Sequence, residues 1–403
     1  MPVTQVDVAI IGGGMVGASL ALALSGTGVT TMLVESTPPG SQGQPSFDDR
    51  TTALGNASRR IFQALGVWER LAAAAAAIRT IHVSEAGRFG FARLIAAEQG
   101  IEAFGYVITN RVIGAALWER LRSADPVLLR VPARPDSVAI GSNAVTFNLA
   151  GETVSARLVV AADGAHSVVR AAAGIEAEVE DYDQIAIVAN VRADRPHDGT
   201  AYERFTQSGP LAVLPLHDGS YGVIWTCDPT RAAQVLAFDE VTYLRELQER
   251  FGWRAGRFVK AGVRASYPLK LTRAATTVAM RTVLIGNAAQ SLHPVAGQGF
   301  NLGLRDAAML AEVVVGARDG DVGSAELLQK FSAWRAGDRS GVIRFTDGLV
   351  KMFADTRPGV GVLRNLGLLL FDLSPPAKSA LARVSAGFAG PTPRLARGLG
   401  IRP

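Results

Sequence analysis

The hydrophobic pattern of the first 36 residues predicts a strand, a helix and a second strand. An apolar run ends at Ile11, as expected for a buried parallel strand, and a glycine-rich turn follows it. Residues 18–25 are small and apolar, which suits a helix that packs close to a sheet. Residues 30–34 are rich in the β-branched side chains that favour strands. This order indicates the start of an α/β domain with a parallel sheet.

The βαβ rhythm stops in the middle of the chain and then returns. Residues 183–230 form short alternating segments separated by Gly and Pro turns, which predict antiparallel strands. The elements predicted around this segment are helices at 57–65, 111–122 and 302–315, an alanine-rich run at 72–77, and apolar strands at 158–162 and 283–286. We therefore predict a Rossmann-like α/β domain that is interrupted by a mostly antiparallel β-sheet domain. Residues 37–50 have the composition of a loop.

The predicted division has three parts. Residues 1–75, 101–175 and 281–340 form a discontinuous dinucleotide-binding domain, residues 76–100 and 176–280 form the substrate-binding β-sheet domain, and residues 341–403 form a helical C-terminal region. This last region carries nine Lys/Arg and three Asp, a net charge of +6 against +5 for the whole chain. Its basic, partly apolar sequence could rest on an anionic membrane surface. The alternative is a solvated helical tail that packs on the core.

Composition narrows the class of protein further. The single cysteine, Cys227, argues against a disulfide framework, and the five histidines do not have the spacing of metal ligands. No run of about 18 uncharged apolar residues predicts a transmembrane helix, and the first residues lead directly into a strand without a signal peptide. We expect a cytoplasmic protein, with attachment to the periphery of the inner membrane left open. Neither a metal nor a nucleic-acid partner is expected.

The first turn carries a dinucleotide-binding motif. Gly12, Gly14 and Gly17 form G-x-G-x-x-G between a strand and a helix, and Glu35 and Ser36 close the next strand. The glycines permit a tight turn, approach of the backbone to a pyrophosphate, and close packing of helix on strand. The helix N-terminus offers N–H groups to the phosphates, and the Glu35 carboxylate can accept hydrogen bonds from ribose hydroxyls. The motif and its context predict a dinucleotide site.

Two further motifs follow later strands. The second contains Asp163 and Gly164. The third contains Gly286, Asn287, His293, Pro294, Gly297, Gly299, Phe300 and Asn301. Three motifs in this order, over about residues 5–310, resemble the flavin-dependent aromatic hydroxylases of the p-hydroxybenzoate hydroxylase class. The third is most similar to the ubiquinone-biosynthesis hydroxylases, in particular the 2-octaprenyl-6-methoxyphenol hydroxylases, because it has Asn287 with Gln290 where the wider family has Asp at position 287.

The resemblance implies the cofactor and the chemistry. FAD would be held by the three motifs, with Arg50, Thr51 and Arg111 at matching positions nearby. NAD(P)H would reduce the flavin, O₂ would add at flavin C4a, and the resulting C4a-hydroperoxyflavin would hydroxylate the ring of a polyprenylated phenol. Pro294 would shape the wall beside the flavin, and His293 would be a proton relay or a neutral structural residue. The segment 211–215 is a candidate wall for a long apolar tail, although core packing explains it equally well.

Other functions stay open at the level of sequence. The chain could hydroxylate a small soluble aromatic instead of a hydrophobic phenolic substrate. It could also be an FAD-dependent reductase of isoprenoid lipids, which would use NAD(P)H without O₂, or a non-catalytic FAD-binding member of a quinone-synthesis protein complex. The sequence contains no second strand-bound G-x-G-x-x-G, so NAD(P)H would bind transiently across the FAD domain.

Overall fold

The structure is a computed structural model that describes residues 3–41, 48–355, 357, 359–388 and 390–401. Residues 42–47 of the predicted loop lie outside the described residues. The strands in chain order are β1 (Val3–Ile11), β2 (Thr31–Val34), β3 (Thr51–Gly55), β4 (Ala76–Ile78), β5 (Thr80–Glu85), β6 (Phe91–Ile95), β7 (Gly105–Thr109), β8 (Leu128–Arg130), β9 (Val138–Ile140), β10 (Val145–Leu149), β11 (Glu152–Ala161), β12 (Ala177–Ala193), β13 (Thr200–Thr206), β14 (Gly209–Pro215), β15 (Tyr221–Cys227), β16 (Phe258–Ala261), β17 (Ala265–Ala274), β18 (Val278–Ala279), β19 (Thr282–Leu284) and β20 (Gln290–Ser291). The α-helices are α1 (Met15–Leu24), α2 (Asn56–Ala64), α3 (Trp68–Leu71), α4 (Asn110–Arg122), α5 (Val168–Ala172), α6 (Pro229–Ala237), α7 (Glu240–Phe251), α8 (Gln298–Gly316), α9 (Ala325–Ala354), α10 (Val360–Asp372) and α11 (Pro375–Ser385).

The first sheet has a parallel centre. Strands β19, β11, β1, β2 and β8 are hydrogen-bonded neighbours in that order and run parallel. The antiparallel strands β10 and β9 extend from β11, and β18 pairs with β19. One face packs on α1, α4 and α8, and the other face packs on β10 and α5. Because both faces are covered, the central strands are continuously apolar, as their sequences predict.

The second sheet has nine strands and is mostly antiparallel. Its order is β20-β17-β12-β15-β14-β13-β5-β6, with β16 beside β12, and only the β13–β5 pair is parallel. Its strands come mainly from residues 80–95 and 177–274, and α6 and α7 cover one of its faces. A small sheet, β3-β7-β4, completes the β structure of the described residues. The α/β fold class is confirmed.

The alanine-rich run at 72–77 is not a single element. Residues 72–74 form one turn of 3₁₀ helix, and residues 76–78 form β4. Ala76 pairs with Val107 of β7, so strand pairing overrides the high helix propensity of alanine at this point.

Across the described residues we find no helix with the length and hydropathy needed to cross a bilayer.

Candidate functional site

The predicted motifs meet at one edge of the parallel sheet. Strands β2, β1, β11 and β19 are neighbours, so their carboxyl ends lie side by side. Glu35 follows β2, Gly12 follows β1, Asp163 follows β11, and Gly286 follows β19. In open parallel sheets, ligands bind at this edge. The fold therefore brings together three motifs that are far apart in the sequence.

The first loop has no room for side chains. Gly12 has a φ of +107°, and a Cβ at this position would lie 2.4 Å from the carbonyl oxygen of Ala162. A Cβ on Gly17 would lie 1.9 Å from the carbonyl oxygen of Gly12. Gly14 is the N-cap of α1 and provides no side-chain cap. The first N–H groups of this helix can therefore point at an anion, as a pyrophosphate site requires.

Glu35 holds the first loop in place. Its side chain is buried, and one carboxylate oxygen accepts a hydrogen bond of 2.7 Å from the Gly13 N–H. The other oxygen accepts from the Thr37 N–H at 2.8 Å and from the Ser36 hydroxyl at 3.3 Å. Trp118 of α4 donates its indole N–H to the Gly13 carbonyl at 3.1 Å, a contact that the sequence did not predict. The Oε2 atom keeps lone-pair capacity for a ribose hydroxyl.

The second and third motifs present oxygen acceptors at the same edge. Asp163 Oδ2 accepts from the Val168 N–H at 2.8 Å, whereas Oδ1 is buried without a hydrogen-bond partner among the described residues. Burial raises the pKa of Asp163 and outweighs its hydrogen bonds. Arg170 donates to the Ala288 carbonyl at 2.9 Å and so ties the second motif to the third. Asn287, beside it, is exposed. A buried acceptor without a donor indicates a place for a ligand hydroxyl.

The N-terminus of α8 is open. Its N-cap, Gly297, has a φ of +60° and gives no side-chain cap. A Cβ on Gly299 would have no neighbour within 4 Å, and Phe300 packs its ring against Phe62 with the centroids 6.1 Å apart. Pro294 begins the short turn before this helix. The positive end of a 19-residue helix therefore faces the space beside the third motif.

The Asn301 side chain makes four hydrogen bonds within the protein. Its Oδ1 accepts from the Gly55 N–H at 2.9 Å and from the Ser58 hydroxyl at 2.6 Å. Its Nδ2 donates to the carbonyls of Ala53 and Gly297, both at 2.8 Å. These four bonds use the full ordinary capacity of the amide. Asn301 thus positions the start of α8 against β3 and has no hydrogen bond to spare for a cofactor.

His293 is buried and neutral. It is 1 % exposed, and burial lowers its pKa to about 4. Its Nδ1 accepts from the Val295 N–H at 3.2 Å, which assigns the proton to Nε2, and Nε2 lies 3.3 Å from the Gln184 Oε1. The Tyr182 ring packs edge-on against it, with the centroids 5.2 Å apart. The geometry therefore favours the structural alternative over the proton relay.

The His293→Asn variant should test these two roles. The amide oxygen of the introduced side chain can still accept from the Val295 N–H, so we expect kcat to fall less than about tenfold, against the roughly 10²–10⁴-fold loss expected for a general acid or base. The pH profile of kcat between about 5.5 and 8 should not change shape. Steady-state NAD(P)H oxidation with substrate measures both quantities. A loss near about 10³-fold with a displaced pH profile would restore the proton-relay role.

Arg50, Thr51 and Arg111 lie around the small sheet. The Arg50 guanidinium lies 4.5 Å from the centroid of the Tyr267 ring, and Thr51 begins β3. Arg111, in the first turn of α4, forms an exposed ion pair with Asp49. A phosphate at Arg111 would therefore compete with the Asp49 carboxylate. These three positions stay predictions.

The candidate wall at 211–215 is divided between two faces of the sheet. Leu211 and Val213 pack with Trp225 in the core beneath α6 and α7. Leu214 packs on the opposite face, in the cluster that includes Ala53 of β3. Side chains alternate across a strand, so only every second residue of this segment can face the predicted site. For Leu211 and Val213, the structure supports the alternative of core packing.

A buried ionic network behind the third motif was missed. Asp306 of α8 accepts from the Gly286 N–H at 3.2 Å and from Gln290 Nε2 at 2.9 Å. Its other oxygen accepts from Arg335 Nε of α9 at 2.6 Å, and Arg335 also pairs with Asp338. The network holds the loop after β19 in place. A sequence signal for the network was present, because two adjacent charged residues, Arg305 and Asp306, occur in a mostly apolar helix.

These features fit FAD. Two helix N-termini with glycine at the N-cap, those of α1 and α8, flank the edge where the glycine loop, the Glu35 carboxylate and the Asp163 Oδ1 atom meet. The first helix suits a pyrophosphate, and the oxygen acceptors suit ribose and ribityl hydroxyls. The assignment of individual residues to individual groups of the cofactor stays a prediction.

Comparison with known proteins agrees with this geometry. A family model described as an FAD binding domain matches residues 5–346. Ubiquinone hydroxylase UbiL of Rhodospirillum rubrum is 37 % identical over 98 % of this chain and 93 % of its own length. This chain belongs to the FAD-dependent hydroxylases of ubiquinone biosynthesis. The 3-demethoxyubiquinol 3-hydroxylase of Escherichia coli is 33 % identical to this chain, and the match covers 90 % of this chain and 94 % of the Escherichia coli protein.

Solved structures support the fold of the hydroxylase. The crystal structure of p-nitrophenol 4-monooxygenase PnpA from Pseudomonas putida superposes with a TM-score of 0.79 at 20 % identity, and covers 96 % of this chain and 99 % of that one. The family model and the relatives show that FAD is the cofactor and that the enzyme is a monooxygenase; NAD(P)H is the co-substrate typical of the family. The residue-level site and the domain boundaries stay predictions.

Proposed function

We propose that this enzyme hydroxylates the aromatic ring of a polyprenylated phenol of the 2-polyprenyl-6-methoxyphenol type, with NAD(P)H and O₂. The observation that carries the proposal is the 37 % identity to ubiquinone hydroxylase UbiL across 98 % of the chain. The 3-demethoxyubiquinol 3-hydroxylase relative supports a substrate of the same chemical kind. The family membership argues against the lipid reductase and the non-catalytic alternatives.

The apolar surroundings of the third motif support a hydrophobic substrate. Val295, directly after Pro294, belongs to a cluster with Phe205 of β13 and Phe353 of α9. The two phenylalanine rings stack with centroids 3.5 Å apart, and Leu368 of α10 packs against the same cluster. The C-terminal helices therefore cover the sheet with apolar side chains close to the predicted flavin site. Such surroundings favour a prenyl tail over a small charged aromatic.

The chain's own residues would prepare the site. When bound, FAD supplies hydride acceptance from NAD(P)H and activation of O₂. Gly12, Gly14 and Gly17 would hold its pyrophosphate, and Glu35 would orient the ribose. The N–H groups at the start of α8 would stabilise negative charge that develops beside them. His293 stays neutral above about pH 4, and its Nδ1 stabilises the turn before α8 by accepting a hydrogen bond from the Val295 N–H.

A series of methoxyphenols with zero, one and two isoprene units should test the substrate class. We expect kcat/KM to rise by about tenfold or more with each unit, because every buried CH₂ contributes roughly 0.8 kcal/mol. Substrate-stimulated NAD(P)H oxidation measures this dependence. Equal kcat/KM values across the series would instead favour a hydroxylase that acts on a small soluble aromatic.

Three further expectations stay predictions. They are membership of a quinone-synthesis complex, location in the cytoplasm and attachment to the inner membrane.

A further inference from the structure

Helix α10 presents an apolar surface to solvent. Its exposed large side chains are Val362, Leu363, Leu366 and Leu370, with Leu373 directly after the helix, at 53, 70, 45, 68 and 78 % exposure. The four leucines follow one another at intervals of three or four residues, and Val362 lies four residues before Leu366, so these side chains share one face of the helix. The remaining exposed position within the helix is Gly367. No charged residue lies on this face, which is unusual for a surface helix of a globular protein.

The polar residues of α10 point toward the protein instead. Arg364 forms a buried ion pair with Glu85 of β5. The Asn365 Nδ2 donates to the same carboxylate at 2.7 Å, and its Oδ1 accepts from the Gly90 N–H at 2.8 Å. Asp372 accepts from the Arg93 N–H, also at 2.8 Å. These contacts fix the rotation of the helix about its axis. The exposed leucines therefore cannot turn inward without breaking a buried ion pair.

The surroundings of this face are apolar and basic. Phe89, in the turn between β5 and β6, is 69 % exposed. Arg88 beside it is exposed and approaches Gly361, where a Cβ would lie 3.1 Å from its Nη2. Arg357, just before the helix, has 80 % of its side chain exposed. The nearby carboxylates are less exposed than these arginines and already paired: Glu85 with Arg364, Asp347 with Lys351, Asp355 with Arg357 and Asp372 with Lys378.

We propose that α10 and Phe89 bind the surface of an anionic lipid bilayer. The exposed leucines of α10, Leu363, Leu366 and Leu370, would lie at the boundary between the headgroups and the acyl chains. A 13-residue helix is too short to span a bilayer, and a helix with one apolar face lies in the plane of the interface. The exposed Arg88 guanidinium complements anionic headgroups, whereas Arg357 is already paired with Asp355. A second copy of this chain fits less well, because a symmetric contact would bring the two copies of Arg88 to the same interface.

The position of α10 gives this surface a use in the proposed reaction. Leu368 on the inner side packs in the cluster that contains Val295, the residue after Pro294. A bilayer-bound α10 would therefore place the predicted flavin site next to the phase in which a polyprenyl phenol dissolves. Vesicle binding is measured without substrate, so its failure would leave the hydroxylase proposal untouched.

Co-sedimentation of the FAD-loaded enzyme with vesicles tests the proposal. The vesicles are phosphatidylcholine alone or phosphatidylcholine with phosphatidylglycerol. The test variant is Leu363→Gln/Leu366→Gln/Leu370→Gln. The matched control, Val241→Gln/Val263→Gln/Met280→Gln, changes side chains that are 74, 94 and 59 % exposed elsewhere. We expect the test variant to lose at least about tenfold in partition onto anionic vesicles. The control should stay within about twofold of the parent.

A separate variant tests whether binding requires attraction between basic side chains and anionic headgroups. Arg88→Gln should weaken binding to anionic vesicles by about fivefold and leave binding to phosphatidylcholine unchanged. Retained FAD and an unchanged melting temperature show that each variant is folded. The proposal is overturned if the parent enzyme fails to bind anionic vesicles or if the leucine variant binds as well as the parent. It is also overturned if light scattering shows a dimer of the parent that the leucine variant abolishes.

Discussion

The Asp338→Ala variant is expected to lose about 3–5 kcal/mol of unfolding free energy, because it removes one partner of a buried ionic network. Asp338 accepts from Arg305 Nε at 2.8 Å and also pairs with Arg335. Both arginine side chains are almost fully buried, at 4 and 2 % exposure. After the substitution, Arg335 would keep its ion pair with Asp306, whereas the buried Arg305 would lose the carboxylate with which it pairs. Urea unfolding of the FAD-loaded enzyme measures the loss.

Asp181→Ala provides the control for this experiment. Asp181 pairs with Lys270 at 2.9 Å, but both side chains are about half exposed, so we expect a change within about 1 kcal/mol. Equal losses in the two variants would contradict the role given to the buried network. A loss of bound FAD should accompany the Asp338→Ala destabilisation, since Asp306 of the same network holds the Gly286 N–H.

The pH dependence of stability should follow from two kinds of group. Burial alone would raise the pKa of Asp338, but Arg305 and Arg335 outweigh it and lower the pKa. Its contribution is therefore present above its ordinary pKa of 3.8 and lost as pH falls through the lower folded value. Burial lowers the pKa of His293 and His82 from 6.5 to about 4. As pH falls from 6.5 toward 4, these histidines bind protons in the unfolded state but stay neutral in the folded state, so the protein loses stability. This loss occurs at higher pH than the loss from Asp338.

Gly17→Ala should raise the FAD dissociation constant by about 100-fold or more, because the glycine loop must move away from α1. A Cβ at this position would lie 1.9 Å from the Gly12 carbonyl oxygen. Such overpacking typically costs about 1–3 kcal/mol, and here the clashing atom belongs to the backbone and cannot rotate away. Each tenfold change in affinity corresponds to roughly 1.4 kcal/mol. Quenching of flavin fluorescence during titration measures the affinity.

Gly337→Ala is the matched control for the glycine loop. Gly337 is exposed in the middle of α9, and a Cβ there would have no neighbour within 4 Å. We expect unchanged FAD affinity and a gain of about 0.5–1 kcal/mol in stability, because alanine is the better helix former. Unchanged FAD affinity in Gly17→Ala would refute the close approach assigned to the loop.

The sequence predicted those parts of the site that local patterns encode. The strand before Gly12 and the helix after it follow from the apolar run and the small residues that come next. The meeting of Gly12, Asp163 and Gly286 could also be anticipated, since the carboxyl ends of parallel strands lie at one edge. The resemblance to ubiquinone-biosynthesis hydroxylases is confirmed by the family match and by the relatives.

Features that depend on long-range contacts could not be predicted in this way. The saturation of Asn301 depends on β3, 246 residues away from it in the sequence, and the inward rotation of Asn365 depends on Glu85, 280 residues away. Local periodicity carries no information on such pairs. The neutral state of His293 likewise follows from its burial, which the motif does not reveal. Strand alternation was available from the sequence and would have separated Leu211 from Leu214.

The origin of the oxygen in the product tests the proposed hydroxylation by O₂ directly. The FAD-loaded enzyme would be supplied with NAD(P)H, a short-chain prenyl methoxyphenol and ¹⁸O₂, and the product would be analysed by mass spectrometry. We expect a ring-hydroxylated product that contains one ¹⁸O atom, with O₂ uptake stimulated by the substrate. An unlabelled product, or turnover of the prenyl compound without O₂ uptake, would contradict the proposed hydroxylation.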